Sequence, residues 1–203
     1  MTRGSNPGLP RRRTAGNFGC MCNRYGYNSP LHRLIEIFGD AGLAFSDLGG
    51  LPNLAPMEEI RPTDPAPVVL AGEDGGAALK VLRWGFPPGR PKAGPVINFR
   101  SENRRFEKGR CLVPATHFFE FTGEKYPKTK WRFTKTGEDI FAIAGLVRDD
   151  LFTLLTCAPG PDITPYHDRQ IVILERGDWA DWLSKGEAPL GPLPAGALSV
   201  EKS

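Results

Sequence analysis

The sequence contains no apolar run near the length that crosses a bilayer, which removes the membrane-spanning classes. Cysteine is scarce, with Cys20, Cys22, Cys111 and Cys157 spread over 203 residues. So few in so long a chain make no disulfide framework, and a reducing cytoplasm is the expected compartment. A zinc pattern is missing as well, because Cys20 and Cys22 stand too close together and no second pair follows. No segment repeats, and the start of the chain lacks the apolar stretch of a secretory signal. A strong net charge is also lacking. The formal value is +3, and residues 1–21 account for it: they hold Arg3, Arg11, Arg12 and Arg13 and no acid, which leaves 22 basic against 23 acidic residues in the remainder. A nucleic acid would therefore be bound by a local basic patch and not by a global field.

Turn formers are abundant. With 24 Gly and 20 Pro, the composition predicts many turns and short strands and not a helical bundle. The length suits one domain with a substantial core, or at most two small ones. Residues 1–20, rich in Gly, Pro and Arg, read as a disordered leader, either removable or upstream of a true start at Met21. A helix is predicted from Ser29 to Gly42, capped by Ser29, with Leu31, Leu34, Ile35 and Phe38 forming one buried stripe. Strands are predicted at Val68–Ala71, Ala78–Phe86, Cys111–Val113, His117–Phe121, Trp131–Thr134, Ile140–Val147 and Phe152–Cys157. Thr136-Gly137 and Arg148–Asp150 read as turns between them. A short helix starts at Asp178 and stops at Gly186. The folded domain is expected over 21–186, followed by a peripheral Pro/Gly-rich tail over 187–203. The expected fold class is α+β and predominantly antiparallel β, with a barrel-like β core and a few packed helices.

Five short islands carry the chemistry. They are Met21-Cys22-Asn23-Arg24-Tyr25; Asn53-Leu54-Ala55-Pro56; Arg83-Trp84-Gly85-Phe86 with Val96-Ile97-Asn98-Phe99-Arg100-Ser101-Glu102; Arg110-Cys111-Leu112-Val113-Pro114 leading to Phe118-Phe119-Glu120-Phe121; and Tyr166-His167-Asp168-Arg169 with Ile171–Leu174. All five, in this order, resemble the SRAP family, the SOS response-associated peptidases. The resemblance runs from Met21 to about Leu183.

A cysteine at a free N-terminus is a 1,2-aminothiol. Its amine attacks an aldehyde to give an imine, and its thiol then closes a thiazolidine, an intramolecular step favoured by proximity. A ring-opened abasic sugar presents such an aldehyde, and an α-amino group titrating near pH 8 is partly neutral at physiological pH. The resemblance implies this role for Cys22 after removal of Met21. It implies that Asn98 positions the sugar or the amine, that Glu120 transfers protons, and that His167 drives sugar ring opening as a general acid or base. It further implies phosphate contacts from Arg24, Arg100 and Arg169 and base stacking by Trp84. Phe121 stands where the family usually has Trp, and stacking should survive there. Asn23 stands where Gly is common.

Plainer readings exist for each residue alone. Glu120 fits the polar face of an amphipathic strand, His167 and Asn98 fit turns, and Trp84 fits a core. Cys111 and Cys157 sit in apolar strands as inert core thiols. The run Arg100, Arg104, Arg105, Lys108, Arg110 is ordinarily a solvated face, and only its place after Asn98 suggests a DNA backbone. Three functions follow: covalent capture of abasic sites in single-stranded DNA, a Cys–His peptidase, or a non-catalytic single-stranded-DNA binding module. A monomer is expected, in the cytoplasm and on the nucleoid when bound, with no metal, organic cofactor or membrane contact.

Overall fold

The computed structural model describes residues 23–46, 54–72 and 75–203. Met21, Cys22 and the leader over 1–20 lie outside the described residues, as does Asn53. The described chain runs β1 (Tyr25–Tyr27), α1 (Leu31–Asp40), β2 (Met57–Ile60), β3 (Pro65–Ala71), β4 (Ala77–Trp84), β5 (Asn98–Arg100), β6 (Arg110–Ala115), β7 (His117–Thr122), β8 (Thr129–Lys135), β9 (Phe141–Arg148), β10 (Leu151–Cys157), β11 (Gln170–Ile171), β12 (Ile173–Leu174), α2 (Trp179–Ser184) and β13 (Leu198–Lys202). The seven strands predicted from the sequence are β3, β4 and β6 to β10. No described helix is long and apolar enough to cross a membrane.

Two sheets form. One has the order β13-β8-β7-β1-β2. In the other, β10-β4-β3-β6-β9 closes on itself through a β9–β10 pairing, with β11, β12 and β5 attached. Most pairings are antiparallel, whereas β10 meets β4 and β5 in parallel. This is the barrel-like, mostly antiparallel core that the alternating apolar runs imply. One hydrophobic cluster fills it, containing Trp84, Phe118, Phe133, Phe141, Trp179 and Trp182.

Helix α1 buries Leu34, Ile37 and Phe38, with Leu31 and Ile35 half-buried at its edges. Ser29 does not cap it. Pro30 holds the cap position, and its carbonyl accepts the Arg33 and Leu34 amides. Gly42, at φ +77°, ends the helix, and the following Leu43 N–H reaches back to Phe38 O. Arg110 differs from the expected solvated face. Its guanidinium donates to the carbonyls of Trp182 (2.7 Å), Leu183 (3.0 Å) and Ser184 (2.9 Å), satisfying the C-terminus of α2. The segment over 187–203 is not merely peripheral either. Leu193 is buried, and β13 forms the edge strand against β8 from Leu198↔Lys135 to Lys202↔Trp131.

β1 leads directly from the Cys22 region, and its seating depends on one close approach. The His117 ring is fully buried and lies over Gly26. A Cβ on Gly26 would fall 2.3 Å from His117 Cε1 and Nε2 and 2.5 Å from Glu58 O, so only glycine fits. Nε2 lies 2.9 Å from Glu58 O and Nδ1 2.8 Å from Thr116 Oγ1, which a neutral ring satisfies by donating from Nε2 and accepting at Nδ1. Burial lowers the His117 pKa below its ordinary 6.5. Nearby Arg132 and Lys130 act in the same sense, while the Glu58 carbonyl and carboxylate oppose them. The unfolded chain therefore takes up this proton at higher pH than the folded one. The stability contributed is fully present above about pH 6.5 and is lost as pH falls towards the depressed folded value. The melting temperature should drop between pH 7 and pH 5 more steeply in wild type than in His117→Gln; parallel curves would show that His117 contributes nothing to the pH dependence.

Candidate active site

Strand alternation on β7 sends Phe118 and Glu120 to one face and His117, Phe119 and Phe121 to the other. Phe118 stacks on Phe133 in the core, with ring centroids 5.0 Å apart. Glu120 therefore points inward, and it is only 2% exposed. It is not the solvated carboxylate of an amphipathic strand. Directly across the ladder from it lies Trp131, whose ring meets Tyr166 edge-on at 5.0 Å. Tyr166 also contacts Phe133 at 5.2 Å, so it anchors the loop before β11 onto this sheet. Within that loop, the Tyr166 and His167 amides both donate to Ile163 O, at 2.8 and 3.0 Å. The outcome is that Glu120 and His167 line one pocket of about 430 Å³. Asn23, Arg24 and Phe121 form part of its wall, and Tyr126, Pro127, Lys128 and Lys130 complete it.

One carboxylate holds two of the cations that line this pocket, Arg24 and Lys130. Glu59 accepts from Arg24 at 2.7 Å, from Arg61 at 2.9 Å and from Lys130 at 2.5 Å. Burial alone would raise its pKa. Hydrogen bonds from Lys130 and Arg61, with the charges of Arg24 and Lys130, outweigh this and hold it below the usual carboxylate range. Arg24 also lies over the Phe121 ring at 5.1 Å and Lys130 over Phe119 at 3.7 Å. Both cations are thus oriented before any ligand arrives.

His167 is held at Nδ1. The Arg169 amide donates to it at 3.1 Å, and an Asp168 oxygen lies 3.0 Å away. With the Nδ1 lone pair engaged by the amide, the neutral ring carries its proton on Nε2. A second proton, at Nδ1, would exchange the amide for the Asp168 carboxylate. The ring therefore has a partner in both protonation states, as acid–base work requires.

The other expected site residues fall in different places. Asn98 starts β5, half-buried with Oδ1 shielded from solvent, and is not among the pocket-lining residues. Its strand and the His167 loop share a foundation, since β10 pairs with β5 through Leu154↔Asn98 and with β11 through Thr156↔Ile171. Arg100 is exposed. Trp84 does not stack on bases. It is fully buried, its indole N–H donates to Ile97 O at 2.9 Å, and its ring contacts Tyr25 edge-on at 5.2 Å. It is a packing residue that supports the start of β5. Arg169 likewise does not present its fork to a phosphate. Its side chain is 13% exposed, paired through both terminal nitrogens with Glu102, and it donates to Thr156 O and Oγ1 at 3.1 Å. The Arg169 hydrogen bond, first among the causes, lowers the Glu102 pKa. This pair ties the His167 turn to the segment after β5. Cys111 and Cys157 are buried, and burial pushes the Cys157 thiol up to about 12 and raises that of Cys111. Neither is a nucleophile, as their apolar strands suggested. Among the described residues no group of three His, Cys, Asp or Glu side chains could hold a metal ion.

Glu59, Lys130 and the loop around Tyr126 were not singled out from the sequence. Only Glu102, within the third island, carried a visible mark.

Among the solved structures that share the fold are three crystal structures. A Bordetella bronchiseptica protein is 23% identical with a TM-score of 0.69, covering 90% of this chain and 99% of its own. A Bacteroides thetaiotaomicron protein is 16% identical with a TM-score of 0.67, covering 89% and 91%. A phage-related protein of Bordetella bronchiseptica is 20% identical with a TM-score of 0.63, covering 90% and 94%. At these identities the likeness speaks for the fold alone. No curated protein matches. The sequence model of the SOS response associated peptidase (SRAP) family spans residues 21–194, both sheets up to β12, both helices and every residue of the pocket, and the chain belongs to that family.

Proposed function

We propose that this protein captures abasic sites in single-stranded DNA by a covalent bond to Cys22, exposed as the N-terminal residue. One observation carries the reading: the inward carboxylate of Glu120 and the imidazole of His167 line the same pocket as Asn23, the residue bonded to Cys22. Chain connectivity alone keeps the Cα of Cys22 about 3.8 Å from that of Asn23.

The neutral amine of Cys22 adds to the aldehyde carbon of the ring-opened sugar. Proton transfers through Glu120 let the carbinolamine lose water as the imine forms. The thiol then adds to the imine carbon, its proton passing to nitrogen, and a thiazolidine closes. The net loss is one water, and no oxidant or cofactor is needed. His167, with its proton on Nε2, serves the preceding step, opening the cyclic hemiacetal. Asn98 orients the sugar or amine from β5. Arg24, Arg100, Lys128 and Lys130 provide the local basic patch that a near-neutral domain needs.

Peptidase activity, suggested by the family's name, suits this geometry best as removal of the residues before Cys22, with His167 as the base for the thiol.

The test is a denaturing gel of abasic oligonucleotide incubated with two forms of the protein. The form beginning at Cys22 should give a stable adduct and the full 203-residue form with Met1 retained should give none, because only the former has an aminothiol. Equal adduct from both forms would overturn the mechanism.

A further inference from the structure

The β7–β8 connection, residues 123–128, stands over the pocket. Its tip carries Tyr126, 95% exposed, the largest exposed apolar side chain among the described residues. A solitary exposed aromatic is ordinary on a protein surface. Three features set this one apart. Tyr126, Pro127 and Lys128 line the pocket that holds Glu120 and His167. Lys125 and Lys128 flank the ring, both exposed, and no ion pair among the described residues holds either ammonium. Lastly, the other aromatic groups near the pocket are already engaged. Trp84 is in the core, Phe119 is buried beneath Lys130, Phe121 has Arg24 over its face, and Trp131 is packed on Tyr166.

We propose that Tyr126 is the stacking platform for the nucleobase adjoining the captured sugar, with Lys125 and Lys128 gripping the phosphates on either side. This rests on the reading that the pocket takes an abasic nucleotide. An abasic sugar has no base of its own to stack or to pair, so the site must hold it by its neighbours. A flat ring with free faces at the pocket mouth does this for any base, and most strongly for a purine. Pro127 fixes its own φ, which removes one backbone freedom beside the ring. The consequence is a context preference: abasic sites beside a purine are captured at lower DNA concentration than those beside a second abasic residue.

The experiment compares wild type with Tyr126→Ala, Tyr126→Leu and Tyr126→Trp, all beginning at Cys22. Each is titrated with single-stranded oligonucleotides whose abasic site is flanked by purines or by stable abasic spacers, and the adduct rate is read against DNA concentration. The side chain is almost wholly exposed, so melting temperatures should be unchanged. On purine-flanked DNA the Ala and Leu variants should need roughly tenfold more DNA for half-maximal rate, with the saturating rate unaltered, and the Trp variant should match wild type. On spacer-flanked DNA all four should coincide. 2-Aminopurine placed beside an unreactive tetrahydrofuran site should be quenched by wild type and the Trp variant only. Ala and Leu variants indistinguishable from wild type on purine-flanked DNA, or equally impaired on both substrates, would overturn the role of Tyr126 and leave abasic capture standing. A wild-type protein that forms no adduct with any abasic oligonucleotide would overturn abasic capture itself.

Discussion

Cys22→Ser, produced with residue 22 at a free N-terminus, should lose the durable adduct entirely while keeping a transient one. The α-amine remains, so the imine with the abasic aldehyde still forms. The hydroxyl adds to that imine far less effectively than a thiol, so the ring does not close to a lasting product. The imine then has two exits: hydrolysis back to free DNA, or loss of the 3′ phosphate by β-elimination, which cuts the strand. Wild type should show the opposite pattern, with an adduct that survives denaturation without reductant and little strand cutting. Borohydride distinguishes the two, because it reduces the imine of the Ser variant to a stable amine and leaves a closed thiazolidine untouched. The measurement is one denaturing gel, each protein with and without borohydride. An adduct from the Ser variant equal to wild type without reductant would remove the thiol from the mechanism. The burial of Cys111 and Cys157 makes the assay clean, since neither described thiol can substitute for Cys22.

Glu120→Gln should slow adduct formation roughly a hundredfold at saturating DNA, the scale of one acid–base group, equivalent to about 2.7 kcal/mol of barrier. The substitution preserves shape on the inward face of β7, so Phe118 stacking on Phe133 and the ladder to β8 should persist. It removes the negative charge and, with it, the capacity to take up and release a proton. DNA binding depends on the cations and on stacking, so half-saturation should hardly move. Asn98→Ala should also slow the reaction at unchanged binding, by misplacing the sugar or amine. Stopped-flow rates against DNA concentration, with melting temperatures as a folding control, separate these terms. Wild-type rates in Glu120→Gln would return that carboxylate to a structural role.

The sequence misleads most where one residue type serves two purposes. Trp84 and Arg169 sit in islands shared with the family, and in the sequence both have the look of contacts to DNA. Prominence in an island cannot distinguish a residue that touches a ligand from one that supports a neighbour. Trp84 holds the carbonyl of Ile97 just before Asn98, and Arg169 grips Glu102 and Thr156 below the His167 turn. Arg110 shows the same ambiguity in the basic run, since its charge suggested solvent and its fork caps α2. Burial and pairing of long polar side chains depend on partners distant in sequence, about which local pattern is silent.

By itself the sequence determined the long strands, both helices and the barrel-like class, because these follow from the period of apolar residues and from turn formers between them. It also marked Cys22, Glu120 and His167 as chemically distinctive. The tertiary structure alone decided what lies together. Strands of two to four residues, such as β1, β5 and β11, have no readable period and exist only through their partners in the ladder. The inward direction of Glu120 depends on which face of β7 meets the core, and strand alternation leaves that choice open. His167 reaches Glu120's pocket because Tyr166 packs on Trp131 and Phe133, 33 or more residues away in the chain. Arg24 and Lys130 became pocket cations because Glu59 draws them together across β1, β7 and β8, a convergence that exists only once these strands have paired into one sheet.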